Sequence, residues 1–390
     1  MVLGFFASLL LIGTPVVFRY VGTGGVAAYW IGGACCYVIR EPLIAAFNRV
    51  DLRYVWALGA GTLALLAAAV FALYPLANSG ALGGGSDSDD ALNIAVRALL
   101  RHEDPYALKT YLGAPVTYLP GAFLLATPFV LAGSAAYQNI FWFVVFFAAV
   151  YHYLGDVRRT VVLLWIMLGS LQIWQSLVTG GEVLASGLYV PLAILFMMRA
   201  LLNPDLARVR WWASVLLGVA LCSRANYLLL VPILCSAVIQ TAGWRRGARL
   251  GMLTAGTMAA LILPMALSSP RLFWISSVKE QNSSAIGLTS VLPHADVILP
   301  ALSACVALAL ACRRMKTESS VLASCAVAQA YPVLMLIVIH LAMSRGGHRG
   351  IIWAVGYACY GLHFIFLWAL ASHRRLLMGR PAAAAMSAVP

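Results

Sequence analysis

Five of the thirteen acidic residues, Asp87, Asp89, Asp90, Glu103 and Asp104, fall within eighteen consecutive positions, where an even scatter would place fewer than one. Three of them sit in Ser86-Asp87-Ser88-Asp89-Asp90, directly before a periodic segment. From Asp90 onward Leu92, Ala95, Val96, Leu99 and Leu100 recur at three- and four-residue spacing, while Asn93, Arg97 and Arg101 share another face. That pattern predicts an amphipathic helix of about three turns, suited to lying in a membrane interface. Aspartates at a helix start can act simply as caps and dipole partners, but that role needs one or two of them, not three. A carboxylate held at a membrane–water boundary can also take the proton of an attacking hydroxyl, and two together can hold a divalent cation. Asp87, Asp89 and Asp90 are therefore the candidate catalytic residues.

The residues that follow could complete a site. Asp104-Pro105-Tyr106 reads as a turn, because proline fixes its own φ and pushes the preceding residue towards extended geometry. Lys109, Tyr111 and Tyr118 then lead to Leu119-Pro120-Gly121 at the mouth of an apolar segment. They are candidate substrate-binding residues, although a tyrosine at that depth also serves as an interfacial belt residue. Arg224, flanked by Ser223 and Asn226, interrupts the apolar run 211–242. Ionisable groups at membrane depth are costly and are usually functional or paired. Two readings of Arg224 stand level: its guanidinium fork binds a phosphate, or it snorkels at the end of a half-span. Glu182, after Gly180-Gly181, is either a second acid or the partner of Arg224. Lys279, Glu280, Gln281, Asn282 and His294 in the loop 268–294 form another candidate edge. Arg345 and His348, with His340 and Arg349, form a last polar cluster, for which phosphate binding competes with the simpler reading of a solvated loop. His152 and His363 lie on apolar segments and are expected to satisfy local hydrogen bonds. The sequence contains no HExxH, Walker, GxGxxG or GxSxG motif, so metallohydrolase, ATPase and serine-hydrolase readings have no support.

The elements that must position these residues are membrane helices. Of 390 residues, 62% are hydrophobic and 10% charged, and the mean hydropathy is +0.89. A soluble domain carries roughly 25% charged residues, so a soluble enzyme, a disordered chain and a nucleic-acid-binding domain are all excluded. Runs long enough to approach the ~20 residues of a span occur at about 2–18, 24–39, 55–77, 117–133, 138–154, 160–178, 184–202, 211–223, 225–242, 250–267, 295–312, 320–341 and 351–371. The start lacks the positive region and cleavage site of a signal peptide and is expected to be a retained span. The net charge of +13 resides in clusters between the runs: Arg40/Arg49/Arg53, Arg158/Arg159, Arg208/Arg210, Arg245/Arg246/Arg249, Arg313/Arg314/Lys316 and Arg374/Arg375/Arg380. Placing all six on the cytoplasmic side orients most of the chain. One conflict remains: 78–116 comes out external and 155–159 cytoplasmic, so 117–133 and 138–154 cannot both cross, and one of them is expected to be re-entrant or interfacial. The eight cysteines form no CxxC pair or spaced set and read as small buried apolar residues. The expected fold is all-α and polytopic, with about 11–13 transmembrane or re-entrant helices and an amphipathic interfacial helix in the first long external loop. The organisation divides as 1–54, N-terminal helices and a cytoplasmic loop; 55–372, the membrane domain containing the acidic loop 78–116; and 373–390, a cytoplasmic tail expected to be disordered.

Asp89-Asp90-Ala91, the helix ending Ala98-Leu99-Leu100, then Asp104-Pro105-Tyr106 and Tyr118-Leu119-Pro120-Gly121, about 40 residues in all, together resemble the first extracytoplasmic loop of the C-type membrane glycosyltransferases. The segment is similar to the mannosyltransferases of glycosyltransferase family 87, and to the protein and lipid A glycosyltransferases that carry an Asp-Glu pair in that loop. Thr179-Gly180-Gly181-Glu182 and Ser223-Arg224-Ala225-Asn226 look like the polar breaks those families place between later helices. The excess of arginine over lysine and the high alanine and glycine content point to a GC-rich bacterial genome, and hence to an integral protein of the bacterial inner membrane. The resemblance implies transfer of a sugar, mannose favoured, from a polyprenyl-phosphate donor to a lipid, glycan or protein hydroxyl at the extracytoplasmic face. Asp89 or Asp90 matches the acidic pair and would be the base; here the pair is Asp-Asp, with Asp87 beside it. No cofactor is implied, and a divalent cation is compatible. The rival readings are a transporter or lipid-linked glycan flippase, which would place charges at mid-span, an O-antigen polymerase or ligase, and a purely structural subunit.

Overall fold

The computed structural model describes residues 2–79, 86–276, 293–343 and 357–378. The described elements are helices, and the one β feature among these residues is an isolated antiparallel bridge between Lys109 and Pro115. Among the described residues six helices are long and apolar enough to cross a membrane, and a bent pair, Val157–Leu168 with Leu171–Val178, makes a seventh if the two form one span. The chain is an all-α polytopic membrane protein.

α1 (Val2–Val38) is interrupted at Gly22, whose φ of 75° only glycine adopts without strain. Its two arms fold back on each other: Trp30 Nε1–H donates to Thr14 Oγ1 at 2.9 Å, and the rings of Phe6 and Tyr37 meet at 6.1 Å. The apolar runs 2–18 and 24–39 are thus the arms of one helical hairpin. α2 (Arg40–Asn48) leads to α3 (Leu52–Asn78), whose start is capped by Asp51. α4 (Ser88–Leu100) is the amphipathic helix. Its apolar face, with Leu92 and Ala95 fully buried, closes on Phe123, Ala126 and Val130 of α5 (Pro120–Leu131). Amphipathic periodicity shows that one face is covered and is silent on whether lipid or protein covers it.

α6 (Tyr137–Leu154), α7 (Val157–Leu168) and α8 (Leu171–Val178) follow, α7 and α8 being bent by 80° at Gly169–Ser170. α9 (Glu182–Leu202) runs through the middle of the bundle and is buried along most of its length. It packs against α6, α10 (Arg210–Leu221) and the last helix. A 3₁₀ stretch (Ala225–Leu230) joins α10 to α11 (Val231–Ala242), and α12 (Trp244–Ser268), α13 (Ala295–Ala311), α14 (Glu318–Met343) and α15 (Cys359–Met378) complete the fold. The eight cysteines are free; Cys222, Cys325 and Cys359 are buried, whereas the other five reach the bundle surface, where a lipid-facing thiol is as tolerable as an internal one.

The basic clusters from Arg40 to Lys316 share one rim. Arg158 Nη2–H donates to the Val50 carbonyl at 2.6 Å, tying the loop before α3 to the start of α7. At the end of α6, Tyr153 donates to Glu318, which also faces Arg199 at 3.7 Å. Arg210 donates to the Ala200 carbonyl, Gln240 to that of Arg313, and Ser319 meets Ser372. The acidic island lies at the other rim, with Tyr74, Ser134, Gly180 and Arg224. The conflict between 117–133 and 138–154 is resolved by this arrangement. α5 starts beside Ser223 and ends next to Ser134, both at the acidic rim, so it does not cross; α6 runs from there to Tyr153 at the basic rim. Pro120 sets the start of α5 and the turn at Gly133 (φ 126°) follows its end, leaving twelve helical residues where hydropathy alone suggested seventeen.

Candidate functional site

The three aspartates at the start of α4 do three different things, and none caps the helix. Asp87 stands at the N-cap position, but its Oδ2 accepts from Thr110 Oγ1 at 2.7 Å. Asp90 Oδ2 accepts the backbone N–H of Tyr111 at 3.0 Å. These two half-buried carboxylates hold the loop 110–114 against the helix start. Asp89 turns inward and is 1% exposed. Its Oδ2 accepts a hydrogen bond from Tyr74 Oη on α3, and its Oδ1 is buried without a partner. Burial pushes its carboxyl up to about 6, against the hydrogen bond from Tyr74 and weaker ones from the first-turn N–H groups of Asp89 and Asp90, all of which favour the charged form.

The polar breaks in the later helices come to the same place. Gly180, in the α8–α9 turn with φ +70°, packs its Cα against Asp89; a side-chain carbon there would lie 2.9 Å from Ala136 Cβ and 3.0 Å from the Asp89 Cβ. The turn is held by Asn139 of α6, whose Nδ2 donates to the carbonyls of Ser176 and Gly181 at 3.1 and 3.2 Å. Two residues beyond Gly180, Glu182 opens α9 and receives the Nε–H of Arg224 on Oε2 at 2.7 Å, in a pair whose side chains are 1% and 7% exposed. Tyr189 Oη donates to the other Glu182 oxygen at 3.3 Å. Arg224 thus does not snorkel. Its guanidinium lies over the Tyr118 ring at 4.4 Å and faces that of Tyr360 at 5.6 Å.

Tyr118 is fixed there by its backbone. Leu119 N–H donates to Ser223 O at 3.0 Å and Gly121 N–H to Cys222 O at 2.7 Å, so the lead-in to α5 lies alongside the end of α10. Gly121 is required by this approach, since a side-chain carbon would run into the carbonyls of Val219 and Cys222. The expected Asp104-Pro105-Tyr106 turn is present; Asp104 Oδ1 accepts the Tyr106 N–H, and the Tyr106 phenol donates to the Tyr118 carbonyl at 2.9 Å. Ser88, next to Asp89, is the polar neighbour of the Tyr118 hydroxyl.

The candidates therefore separate. Glu182, Arg224 and Tyr118 form one buried cluster, and buried Asp89 lies alongside it, linked through Gly180, two residues before Glu182, and through Ser88 at the Tyr118 hydroxyl, with Asp87 and Asp90 as loop clamps beside Asp89. Asn226 lies next to the cluster, paired with Gln329 of α14 through bonds of 2.8 and 3.0 Å. Tyr111 is exposed over the aspartates; desolvation and the charges of Asp87, Asp89 and Asp90 raise its phenol. Lys109 is exposed on the same loop. Arg345 and His348, like Lys279, Glu280, Gln281 and Asn282, lie outside the described residues. His363 does satisfy a local bond, through Nδ1 to the Cys359 carbonyl. Among the described residues no three His, Cys, Asp or Glu side chains are grouped as metal ligands. Sequence reasoning missed Tyr74, Ser134, Asn139, Thr110 and Tyr360, each of which reads locally as an ordinary residue of an apolar helix or loop. No protein-family model matches the chain, and no curated protein or solved structure is significantly similar to it.

Proposed function

We propose that this chain is a membrane glycosyltransferase, moving a sugar, mannose favoured, from a polyprenyl-phosphate donor to an acceptor hydroxyl at the extracytoplasmic face of a bacterial inner membrane. The observation that carries the reading is the buried carboxylate of Asp89, with one oxygen lacking a side-chain partner, at the same rim as the buried, tyrosine-stacked Arg224 and joined to its partner Glu182 through the Gly180 turn. A general base works best when its pKa lies near the operating pH, as desolvation places that of Asp89. In the reaction the acceptor hydroxyl gives its proton to Asp89 Oδ1 while its oxygen bonds to the anomeric carbon. The bond from that carbon to the phosphate oxygen breaks, and polyprenyl phosphate leaves with the electron pair. Arg224 meets the charge that develops on this phosphate. The depth suits a lipid donor: α9 rises from Ala200, level with Arg210 at the basic rim, to Glu182 over about 27 Å, close to the ~30 Å hydrocarbon thickness.

The test is transfer of radiolabelled sugar from polyprenyl-phosphate-mannose in proteoliposomes, comparing wild type with Asp89→Asn, Asp90→Asn and Asp87→Asn at equal folded protein. Loss in Asp89→Asn alone, with the other two reduced, supports the reading, whereas undiminished transfer in Asp89→Asn refutes it. The buried Glu182–Arg224 pair beside two broken helix runs, at Gly169–Ser170 and Ser223–Arg224, is also the construction of a transporter. Translocation of the labelled lipid without transfer would replace the enzyme by a flippase.

A further inference from the structure

The fold treats the two oxygens of Asp89 differently. A phenol has one proton, and Tyr74 spends it on Asp89 Oδ2. The 2.9 Å contact between Tyr74 Oη and Ser134 Oγ is therefore a donation by the serine. Asn78 Nδ2 adds a longer donation to the same phenol oxygen at 3.4 Å, and the Ala136 N–H donates to Ser134 Oγ at 3.2 Å. The result is a run of donors, beginning at the backbone of the α5–α6 turn, that all point towards one carboxylate oxygen; such chains polarise and strengthen one another. The other oxygen has no side-chain partner and no bond of full hydrogen-bond geometry; only the first-turn N–H groups of Asp89 and Asp90 approach the carboxyl. Other titratable groups face Asp89 from Asp90 on its own helix and Tyr111 on the following loop, Tyr137 at the start of α6 faces the Tyr74 phenol, and the α8–α9 turn presents the uncharged Gly180.

We propose that Tyr74, backed by Ser134, is a positioning residue that reserves Asp89 Oδ2 and leaves Oδ1 as the one basic atom offered to an acceptor hydroxyl. The proposal rests on Asp89 being the working carboxylate described above. Without the phenol the carboxylate loses a charge-assisted bond that the neutral acid does not need, so Asp89 binds its proton more tightly and either oxygen can take it.

The experiment is an infrared pH titration of the full-length protein in nanodiscs, with the Asp89 carboxylic C=O band identified by its loss in Asp89→Asn. Tyr74→Phe is expected to move the midpoint of that band up by about one pH unit, and Ser134→Ala to move it in the same direction by less. The acid limb of sugar transfer should shift with the band. A midpoint that stays in place or falls in Tyr74→Phe overturns the proposal; if that variant does not fold, an unmoved midpoint in Ser134→Ala does so. Normal transfer by Asp89→Asn would remove the enzymatic reading, while the infrared midpoint would still decide whether Tyr74 governs this carboxyl.

Discussion

Removing Glu182 while leaving Arg224 in place strands a cation in the interior. Arginine keeps its charge at any accessible pH, its Nε–H exchanges a carboxylate at 2.7 Å for at best a neutral amide oxygen, and the side chain is 7% exposed, so water cannot replace the lost countercharge without opening the cluster. Breaking a buried pair in this way costs about 3–5 kcal/mol, a large part of the roughly 5–15 kcal/mol that holds a folded protein. Stacking on Tyr118 survives in Glu182→Gln and is lost in Arg224→Gln; a desolvated cation–π contact contributes about 2 kcal/mol. Because the two side chains share one interaction, the Glu182→Gln/Arg224→Gln double variant should cost clearly less than the sum of the singles. Equilibrium unfolding in mixed micelles across the four members of this cycle gives the coupling energy. A loss below about 1 kcal/mol in Glu182→Gln, or strict additivity in the double variant, would show that the pair is solvated and that the packing described around it is wrong.

Raising the pH from about 4 to 7 should lower the stability of wild type relative to Asp89→Asn. The folded carboxyl is raised to about 6 from an ordinary value of 3.8, so the stability it contributes is fully present below the ordinary value and is lost as pH rises through the folded one, on the order of 3 kcal/mol at this buried position. Thermal scans in buffered detergent read this directly, and transfer activity should rise over the same window as the base ionises. Gly180→Ala should cost about 1–2 kcal/mol for its left-handed backbone and push on Asp89, so transfer should fall further than stability does. Gly121→Ala, which drives a methyl into the Val219 and Cys222 carbonyls, should cost on the order of 3 kcal/mol and weaken the α5–α10 junction, seen as faster proteolysis around 118–121.

Much of the site could be read from residue types. The acidic island announced itself by density, and Gly-Gly-Glu and Ser-Arg-Ala-Asn by interrupting apolar runs, with Glu182 and Arg224 as natural partners at the same depth. What local pattern could not carry was assignment among equivalents. Three adjacent aspartates are indistinguishable until Thr110, the Tyr111 N–H and Tyr74 each claim one. Tyr118 has the composition of an interfacial belt residue, and only the pairing of Leu119 and Gly121 with the end of α10 puts it beneath a guanidinium. Tyr74 sits on a 27-residue apolar helix where a boundary tyrosine needs no explanation. The parity of basic clusters did expose a segment that does not cross, because charge placement is a global constraint. Identifying it as α5 required knowing what its two ends touch.

α10 has twelve helical residues, which rise only about 18 Å. Trp211 and Trp212 anchor its foot at the basic rim, and α5 is laid across its top. The helical part of α10 is thus shorter than an ordinary bilayer, the remaining height up to Arg224 being made by the non-helical 222–224 and by α5, and lipid that follows the helix alone at this corner would thin, at a cost of fractions of a kcal/mol per ångström. A headgroup drawn down by such thinning would arrive beside the junction that holds Tyr118 and Arg224. Acyl-chain length would then act on this protein as a control: short-chain lipids should relax the corner, and long-chain lipids should load it where the acidic and basic halves of the site meet.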